Sequence, residues 1–326
     1  MDSEVYSPSV WIAMKAAELY YLEGKSQKEV ADILELSNST TSRLLRRARE
    51  EQIVEFVIRN PYLDCLSLSR QLEEKYGLQE VIVVPLSAEE ASASDSVNVK
   101  RMVAHEGARY IQRIVKPNDI LGVAFGRTIY HVINYLNPCQ KTDTSFVTLH
   151  GSLSCCSYEL DVRTLVSRMA MAFGGSQYSL LSEGLLQSSE SVANMMREDG
   201  IRRIFEMFNR TTISLSGLGS FYPIVSSPLA KIEYLKPSEY EYLKFKGVVG
   251  DLMLHFFDKD GNECDTDLKE RTLTIDLDTY RKIPCKIVVT AGAHKVHTLR
   301  AALRGKFMDV LITDYQLASA LLELAA

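Results

Sequence analysis

Apolar positions in the first fifty residues recur at helical spacing. Ile12, Ala16 and Leu19 fall at i, i+4 and i+7, which predicts a helix over residues 9–22 that Gly24 ends. Ser26 predicts the N-cap of a second helix over 27–35, with Val30, Ala31 and Leu34 on its buried side. After a short turn, Ser37 predicts the cap of a third helix, 38–50, whose Thr41, Leu44, Leu45 and Ala48 face the other two. Residues 53–58, Ile-Val-Glu-Phe-Val-Ile, have the β-prone character of a short wing strand before Asn60-Pro61 breaks the pattern. Residues 61–77 predict a connecting helix with Leu63, Leu66 and Tyr76 flanking Leu72; it pairs across a dimer or packs on its own domain. From residue 80 short apolar strands alternate with helical stretches, the signature of an open α/β sheet, and Ser87–Ser96 reads as an exposed loop.

The third helix has two unlike faces. Opposite its apolar stripe lie Ser39, Ser42, Arg43 and Arg46, with Asn38 and Thr40 at its N-terminal end. Arg bonds guanine O6/N7 bidentately and Asn does the same for adenine N6/N7, so this face suits the DNA major groove. Arg47 and Arg49 diverge from it and fit phosphate contacts, which position without specifying sequence. The same face would also serve an ordinary solvated helix. A tight turn, the small Ala31 at the helix crossing and a polar–Arg face on one helix only together favour a helix-turn-helix.

Glycines cluster where strands end. Ile120–Phe125 runs into Gly126-Arg127-Thr128, and Phe146–Leu149 into His150-Gly151-Ser152. Thr212–Ser216 runs into Gly217-Leu218-Gly219-Ser220, and Lys286–Thr290 into Ala291-Gly292-Ala293-His294-Lys295. A fifth cluster, Gly247 to Asp251, has no clear preceding strand. Ligands of open α/β sheets bind at the carboxyl ends of the strands, where glycines admit close approach and helix N-termini favour anions. Lys295 is the sharpest clue, because a cation at a helix start opposes the macrodipole unless an anion is bound; Arg127 shares that position. The alternative is that both side chains reach out to solvent. Asp251 either accepts bonds from sugar hydroxyls or caps a turn, and His294 either meets a ligand or is a loop histidine. His150 is a weaker ligand candidate than His294, Phe125 and Tyr222 read as core before ligand wall, and Asp258 and Asp260 as a hairpin turn rather than a calcium loop.

Composition bounds these readings. With 326 residues, 46% hydrophobic and 24% charged, the chain predicts two globular domains and excludes a disordered one. The net charge of −5 excludes a generally basic surface, yet four arginines fall between positions 43 and 49. No apolar run reaches a membrane span, no secretory signal is present at the start, and six scattered cysteines suit a reducing cytoplasm. No metal site, cofactor or membrane contact is expected.

The chain resembles the SorC-type sugar-binding transcriptional regulators of bacteria over essentially its whole length. The resemblance rests on Tyr20-Tyr21-Leu22-Glu23-Gly24, Ser26 to Ala31, Ser42 to Arg49, Gly122 to Thr128, Val249-Gly250-Asp251, Ala291-Gly292 with Lys295, Ala301 to Gly305, and Thr313-Asp314. It implies a helix-turn-helix DNA-binding domain over 1–60 and an effector-binding and oligomerisation domain over 61–326, with 61–79 as connector. The second domain would be Rossmann-like α/β, similar to sugar-phosphate isomerases and deaminases. The implied partners are double-stranded operator DNA, a phosphorylated sugar or related metabolite, and further copies of the chain as a dimer or tetramer. DNA contacts fall to Asn38, Ser39, Thr40, Ser42, Arg43, Arg46 and Arg47. Effector contacts fall to Gly126, Arg127, Thr128, Gly151, Ser152, Gly217, Gly219, Asp251, His294 and Lys295. Glu35 and Gln52 stand where the family usually carries glycine, Thr41 where it carries valine, and Gly292-Ala293 replaces a Gly-Gly pair. No catalytic residue is expected; the alternative, a sugar-phosphate isomerase or deaminase, would have only Asp251 and His294 for acid–base work.

Overall fold

The computed structural model describes residues 8–56, 61–86, 97–137, 141–153, 157–231 and 234–324. Contacts divide the chain into two units, Met1–Arg59 and Asn60–Ala326.

In the first unit α1 (Pro8–Ala17) continues into a π-helical turn, Glu18–Leu22, followed by α2 (Gln27–Ile33) and α3 (Asn38–Glu50). Local chemistry sets the helix starts. The Ser26 hydroxyl accepts from the Glu29 amide at 3.3 Å while the Glu29 carboxylate accepts from the Ser26 amide at 2.8 Å, a complete capping box. Ser37 Oγ accepts from the Thr40 amide at 3.1 Å. Ala16, Leu19, Val30 and Leu45 form the core, and the buried Ala31 and Ala48 let the helices close on it. The α2–α3 turn places Glu35 at φ +52°, and Gln52, the second residue past the end of α3, sits at φ +57°, so both accept left-handed strain where glycine would have none.

The wing strand does not form over 53–56, and residues 57 and 58 lie outside the described residues. The amides of Glu51, Gln52 and Val54 turn back to the carbonyls of Arg47, Arg49 and Ala48, satisfying the last turn of α3 instead of a ladder. Phe56 packs edge-on against Tyr21.

The second unit opens with α4 (Tyr62–Tyr76), which buries Cys65 and Leu72 against its own domain and leaves Tyr62, Leu63 and Leu66 exposed. A seven-stranded, wholly parallel sheet follows: β1 (Glu80–Val84), β2 (Ile120–Val123), β3 (Ser145–Thr148), β4 (Ser176–Tyr178), β5 (Ile213–Ser216), β9 (Cys285–Val289) and β10 (Val310–Asp314). Between β5 and β9 the chain makes a small antiparallel sheet of β6 (Gly219–Ser220), β7 (Gly250–Leu252) and β8 (His255–Phe257). The Gly247–Asp251 cluster therefore runs into a strand rather than following one. The main sheet runs β1-β10-β9-β5-β2-β3-β4, so strand order reverses between β2 and β5.

The helices that cover the main sheet are α5 (Val97–Ile114), α6 (Arg127–Asn134), α7 (Val162–Phe173), α8 (Asp199–Phe208), α9 (Val296–Arg304) and α10 (Tyr315–Glu323); a further nine-residue helix, Pro237–Phe245, and several shorter ones lie between. The covering helices pack on the sheet in two apolar clusters. One gathers Val103, Ile111, Val132 and Leu165 of α5–α7; the other gathers Leu72, Phe208, Leu299 and Leu317 of α4 and α8–α10. Strands buried on both faces explain the unbroken apolar runs of the sequence. No helix among the described residues is long and apolar enough to cross a membrane. Cys65, Cys264 and Cys285 are free thiols, while Cys139, Cys155, Cys156 and the Ser87–Ser96 stretch fall outside the described residues.

Thr41 is fully buried in the first unit and its hydroxyl has no hydrogen-bond partner. A buried, unsatisfied hydroxyl costs about 1–3 kcal/mol. Thr41→Val keeps the shape and removes that cost, so urea unfolding of the first unit's transition should report a gain of about 1 kcal/mol.

Candidate functional site

Where strand order reverses, the loops after β2 and β5 diverge and leave a crevice, the place at which open α/β sheets bind ligands. A narrow, partly open cleft lies there. Ala124 to Ile129 after β2 form one wall and Gly217 to Gly219 after β5 another. Lys295, just before α9, and Asp251, on β7, close the polar end. The cleft thus gathers Gly126, Arg127, Thr128, Gly217, Gly219, Asp251 and Lys295 from four separate stretches of sequence.

Asp251 is 3% exposed, and its Oδ1 has no hydrogen-bond partner. Burial pushes its carboxyl up to about 6, against opposing help from the Ser227 hydroxyl and the Lys295 ammonium. Gly219 makes the approach possible: a Cβ there would stand 1.9 Å from Asp251 Oδ1. Lys295, 7% exposed, does not reach into solvent but donates from Nζ to the Leu218 carbonyl at 2.7 Å. A buried cation held on one cleft loop therefore faces a carboxylate oxygen with unused acceptor capacity. That pairing offers a site for an anion beside a hydroxyl donor.

The remaining assignments lie elsewhere. Gly151 is packed against the backbone of Glu183 and Gly184, and its amide donates to the Leu273 carbonyl at 2.9 Å. Ser152 is buried, with its hydroxyl on Asp161 and its amide on the Ser182 carbonyl. Neither lines the cleft, because the loop after β3 is spent on bridging to the 182–185 and 272–274 segments. His294 also stays off the wall; its Nε2 meets Ser226 Oγ at 3.1 Å, and Ser226 is the one that lines the cleft. Asp258 caps a hairpin turn through the Asp260 and Asn262 amides.

Sequence reasoning missed Lys100, Ser226, Pro228 and Met253. Lys100 carried the signal that drew attention to Lys295: it stands beside Arg101 in the first described turn of α5, which has no acidic residue. Met253 and Leu254 form the β7–β8 turn at φ +50° and +70°, strained values for side chains of this size. The Thr274 hydroxyl holds the Met253 carbonyl at 2.9 Å, keeping Met253 in the cleft wall.

Two buried side chains position the loops without lining the cleft. His150 Nε2 accepts from the Phe125 amide at 3.0 Å and Nδ1–H donates to the Gly151 carbonyl at 2.7 Å, which fixes a neutral tautomer. Burial lowers its pKa to about 4, in keeping with that state. Asp314 caps α10 through the Leu317 amide and accepts from the Gly292 amide at 2.7 Å, setting the loop that carries Lys295.

In the first unit Asn38, Ser39, Ser42, Arg43, Arg46 and Arg49 are exposed on α3, and Thr40 is half-buried at its start. Arg47 turns aside to Glu51 one helical turn on. The exposed face is contiguous and free of acidic side chains through Arg49, as major-groove reading requires. Among the described residues no group of three or more His, Cys, Asp or Glu is placed to hold a metal.

Residues 60–323 match a family described as "Putative sugar-binding domain", and residues 16–51 match one described as "Sigma-70, region 4". The chain is 31% identical over 310 residues to the deoxyribonucleoside regulator of Bacillus subtilis, across 95% of this chain and 96% of that one. It is 27% identical over 323 residues to the sorbitol operon regulator of Klebsiella pneumoniae, across 97% and 99% of the two chains. The crystal structure of that regulator, full-length SorC, matches with a TM-score of 0.73 at 27% identity over 97% of this chain and 100% of its own.

Because burial raises the Asp251 carboxyl from 3.8 to about 6, the folded state holds a proton there that the unfolded chain has already released. Stability from this group is therefore present at low pH and is lost as pH rises from about 4 to about 6. Asp251→Asn removes that slope: relative to the parent, the ligand-free variant should gain stability between pH 4 and pH 7, by at most about 3 kcal/mol. Paired denaturant titrations at the two pH values check the sign, and a constant difference between the proteins would refute it.

Proposed function

Since this chain belongs to the SorC-type family of sugar-binding transcriptional regulators, we propose that its cleft takes a phosphorylated sugar or related metabolite and that occupancy controls operator binding. The chain is a DNA-binding transcriptional regulator with a sugar-binding domain, and the isomerase or deaminase alternative finds no support among its relatives. The observation that carries the effector reading is the buried pair of Lys295 and the half-satisfied Asp251 in one cleft. Lys295, with Lys100 and Arg127 at the same cleft, would hold a phosphate beside the loop amides. Asp251 Oδ1 would accept from a ligand hydroxyl, which removes its desolvation cost. The names of relatives refer to a deoxyribonucleoside, sorbitol and erythritol, which supports a small polyhydroxy ligand.

In this reading residues 1–60 bind DNA and residues 61–326 bind effector and assemble the oligomer, with 61–79 as connector. Asn38, Ser39, Thr40, Ser42, Arg43 and Arg46 read double-stranded operator DNA, and Arg47 contacts phosphate once it leaves Glu51. Gly126, Arg127, Thr128, Gly217, Gly219, Asp251 and Lys295 contact effector directly; Gly151, Ser152 and His294 support the loops that do. The exposed Tyr62, Leu63 and Leu66 of α4 fit a contact between copies, as a dimer or tetramer bound to repeated half-sites requires. Operator binding places the protein in the cytoplasm. Control follows if the effector binds one conformation more tightly than another, and the Lys295–Leu218 bond is the contact an incoming phosphate would take over.

Arg43→Ala should weaken operator binding by about 1–3 kcal/mol and relax base preference at one position, measured by mobility shift at fixed salt across operator variants. Unchanged affinity would remove Arg43 from base reading. For the effector, a melting-temperature screen of sugar phosphates against their unphosphorylated forms is decisive. A ligand at one hundred times its dissociation constant stabilises by about 2.7 kcal/mol, and that shift should need the phosphate and vanish in Lys295→Ala. A shift with an unphosphorylated sugar that survives the substitution would overturn the phosphate assignment.

A further inference from the structure

The cleft wall holds one polar side chain to which the effector reading gives no task. Ser226 lies on the loop from Phe221 to Pro228, is 8% exposed and lines the cleft. Its backbone is fixed, because the Ser226 and Ser227 amides both donate to the Ser220 carbonyl, at 2.9 and 3.1 Å. The two hydroxyls then part. Ser227 turns to the Asp251 carboxylate, and Ser226 Oγ meets His294 Nε2 at 3.1 Å. His294 is half-buried on the Ala293–Lys295 turn, and the next residue of that turn is Lys295, which also lines the cleft. One short turn therefore brings a cation to the cleft and, through the imidazole, holds a serine hydroxyl there.

We infer that Ser226 is a further effector-contacting residue, donating its hydroxyl proton to the effector's phosphate, and that His294 is a positioning residue acting through it. The inference rests on the phosphate reading of the cleft. A serine hydroxyl donates one hydrogen bond and accepts up to two, and His294 is its one side-chain partner among the described residues. Capacity therefore remains on the cleft side whichever of the two atoms holds the shared proton. A phosphate beside Lys295 selects between the two arrangements. With Nε2–H donating to Oγ, the hydroxyl proton is free to turn to the anion, and both dipoles point their positive ends towards it. Bonds chained in this way polarise one another and strengthen the last of them. With the proton reversed, Oγ would turn lone pairs to the anion, which repels them. Asp251 makes the opposite demand, since a carboxylate repels a phosphate and accepts from a ligand hydroxyl. Ser227 on Asp251 and Ser226 on the phosphate thus serve two different parts of one ligand.

The test is equilibrium dialysis of the full-length protein against radiolabelled inorganic phosphate, with ionic strength held constant by sodium chloride. Ser226→Ala should bind phosphate about tenfold more weakly than the parent, the loss of one hydrogen bond to a charged group. His294→Ala should lose about threefold or more, yet no more than about twofold once Ser226 is already alanine, because its effect travels through that hydroxyl. His294→Gln, whose side-chain amide can donate to Oγ, should return to within about twofold of the parent. A merely structural role for His294 would cost the same in both backgrounds and would not be rescued by glutamine. Ser226→Ala removes a single oxygen, and circular dichroism checks that each variant keeps the fold. Lys295→Ala tests the phosphate reading itself and should abolish binding.

Phosphate binding that is unchanged in Ser226→Ala but lost in Lys295→Ala overturns the Ser226 assignment and leaves the phosphate reading standing. Binding lost in Ser226→Ala but unchanged in Lys295→Ala keeps the serine and removes Lys295 from the phosphate site. A parent that binds no phosphate at millimolar concentration overturns both.

Discussion

Burying a carboxylate without enough partners is expensive, and the second unit is arranged around one such group. Asp251 lies 3% exposed with one oxygen unsatisfied, beside a lysine that is itself 7% exposed. A protein gains nothing in stability from this arrangement, and its persistence is best understood as readiness for a ligand. Several other features make sense once that cost is recognised. Gly219 has no side chain because Asp251 occupies its space, and the strained Met253–Leu254 turn returns the chain directly after the β7 strand that carries Asp251. His150 and Asp314 spend buried polar atoms on holding the loops at each side.

The parallel sheet makes the convergence possible. Its strands all point their carboxyl ends one way, so every loop that follows a strand emerges on the same edge. Reversal of strand order between β2 and β5 then separates two adjacent loops and opens the crevice. The loop after β3 emerges on the same edge but is one strand further out, and it bridges to neighbouring segments instead of reaching the cleft. The loop after β9 is equally one strand out and still carries Lys295 to the cleft, so the contacts each loop makes, and not distance from the switch point alone, decide which loops line it.

The DNA-binding unit follows a different economy. It has four principal core residues and depends on local devices such as the Ser26–Glu29 box and the Ser37 cap. Three of its residues work against stability: Glu35 and Gln52 at positive φ, and Thr41 with a buried, unpartnered hydroxyl. None of them lies on the face that would meet DNA, so each can be altered without touching recognition.

Much of this was legible along the chain, for physical reasons that can be named. Helix starts in the first unit depend on residues three apart, so Ser26, Glu29 and Ser37 announced them correctly. Apolar runs ending in glycine announced a parallel sheet and its strand ends, and a lysine at a helix start singled out a residue that lines the cleft. The strand expected over 53–58 is absent from its described part, 53–56, because helix termini must satisfy their own carbonyls, a demand that β propensity does not register. Which loops meet was beyond local reading. Gly151 and Gly217 follow strands in the same way, yet strand order sends only the second to the cleft. The partners of Lys295, namely the Leu218 carbonyl 77 positions away and Asp251 44 positions away, are set by topology alone. Residue types and spacing determined which groups were available for chemistry. Tertiary structure decided which of them share a cleft, because contacts between distant residues depend on how strands are ordered in the sheet and not on any pattern along the chain.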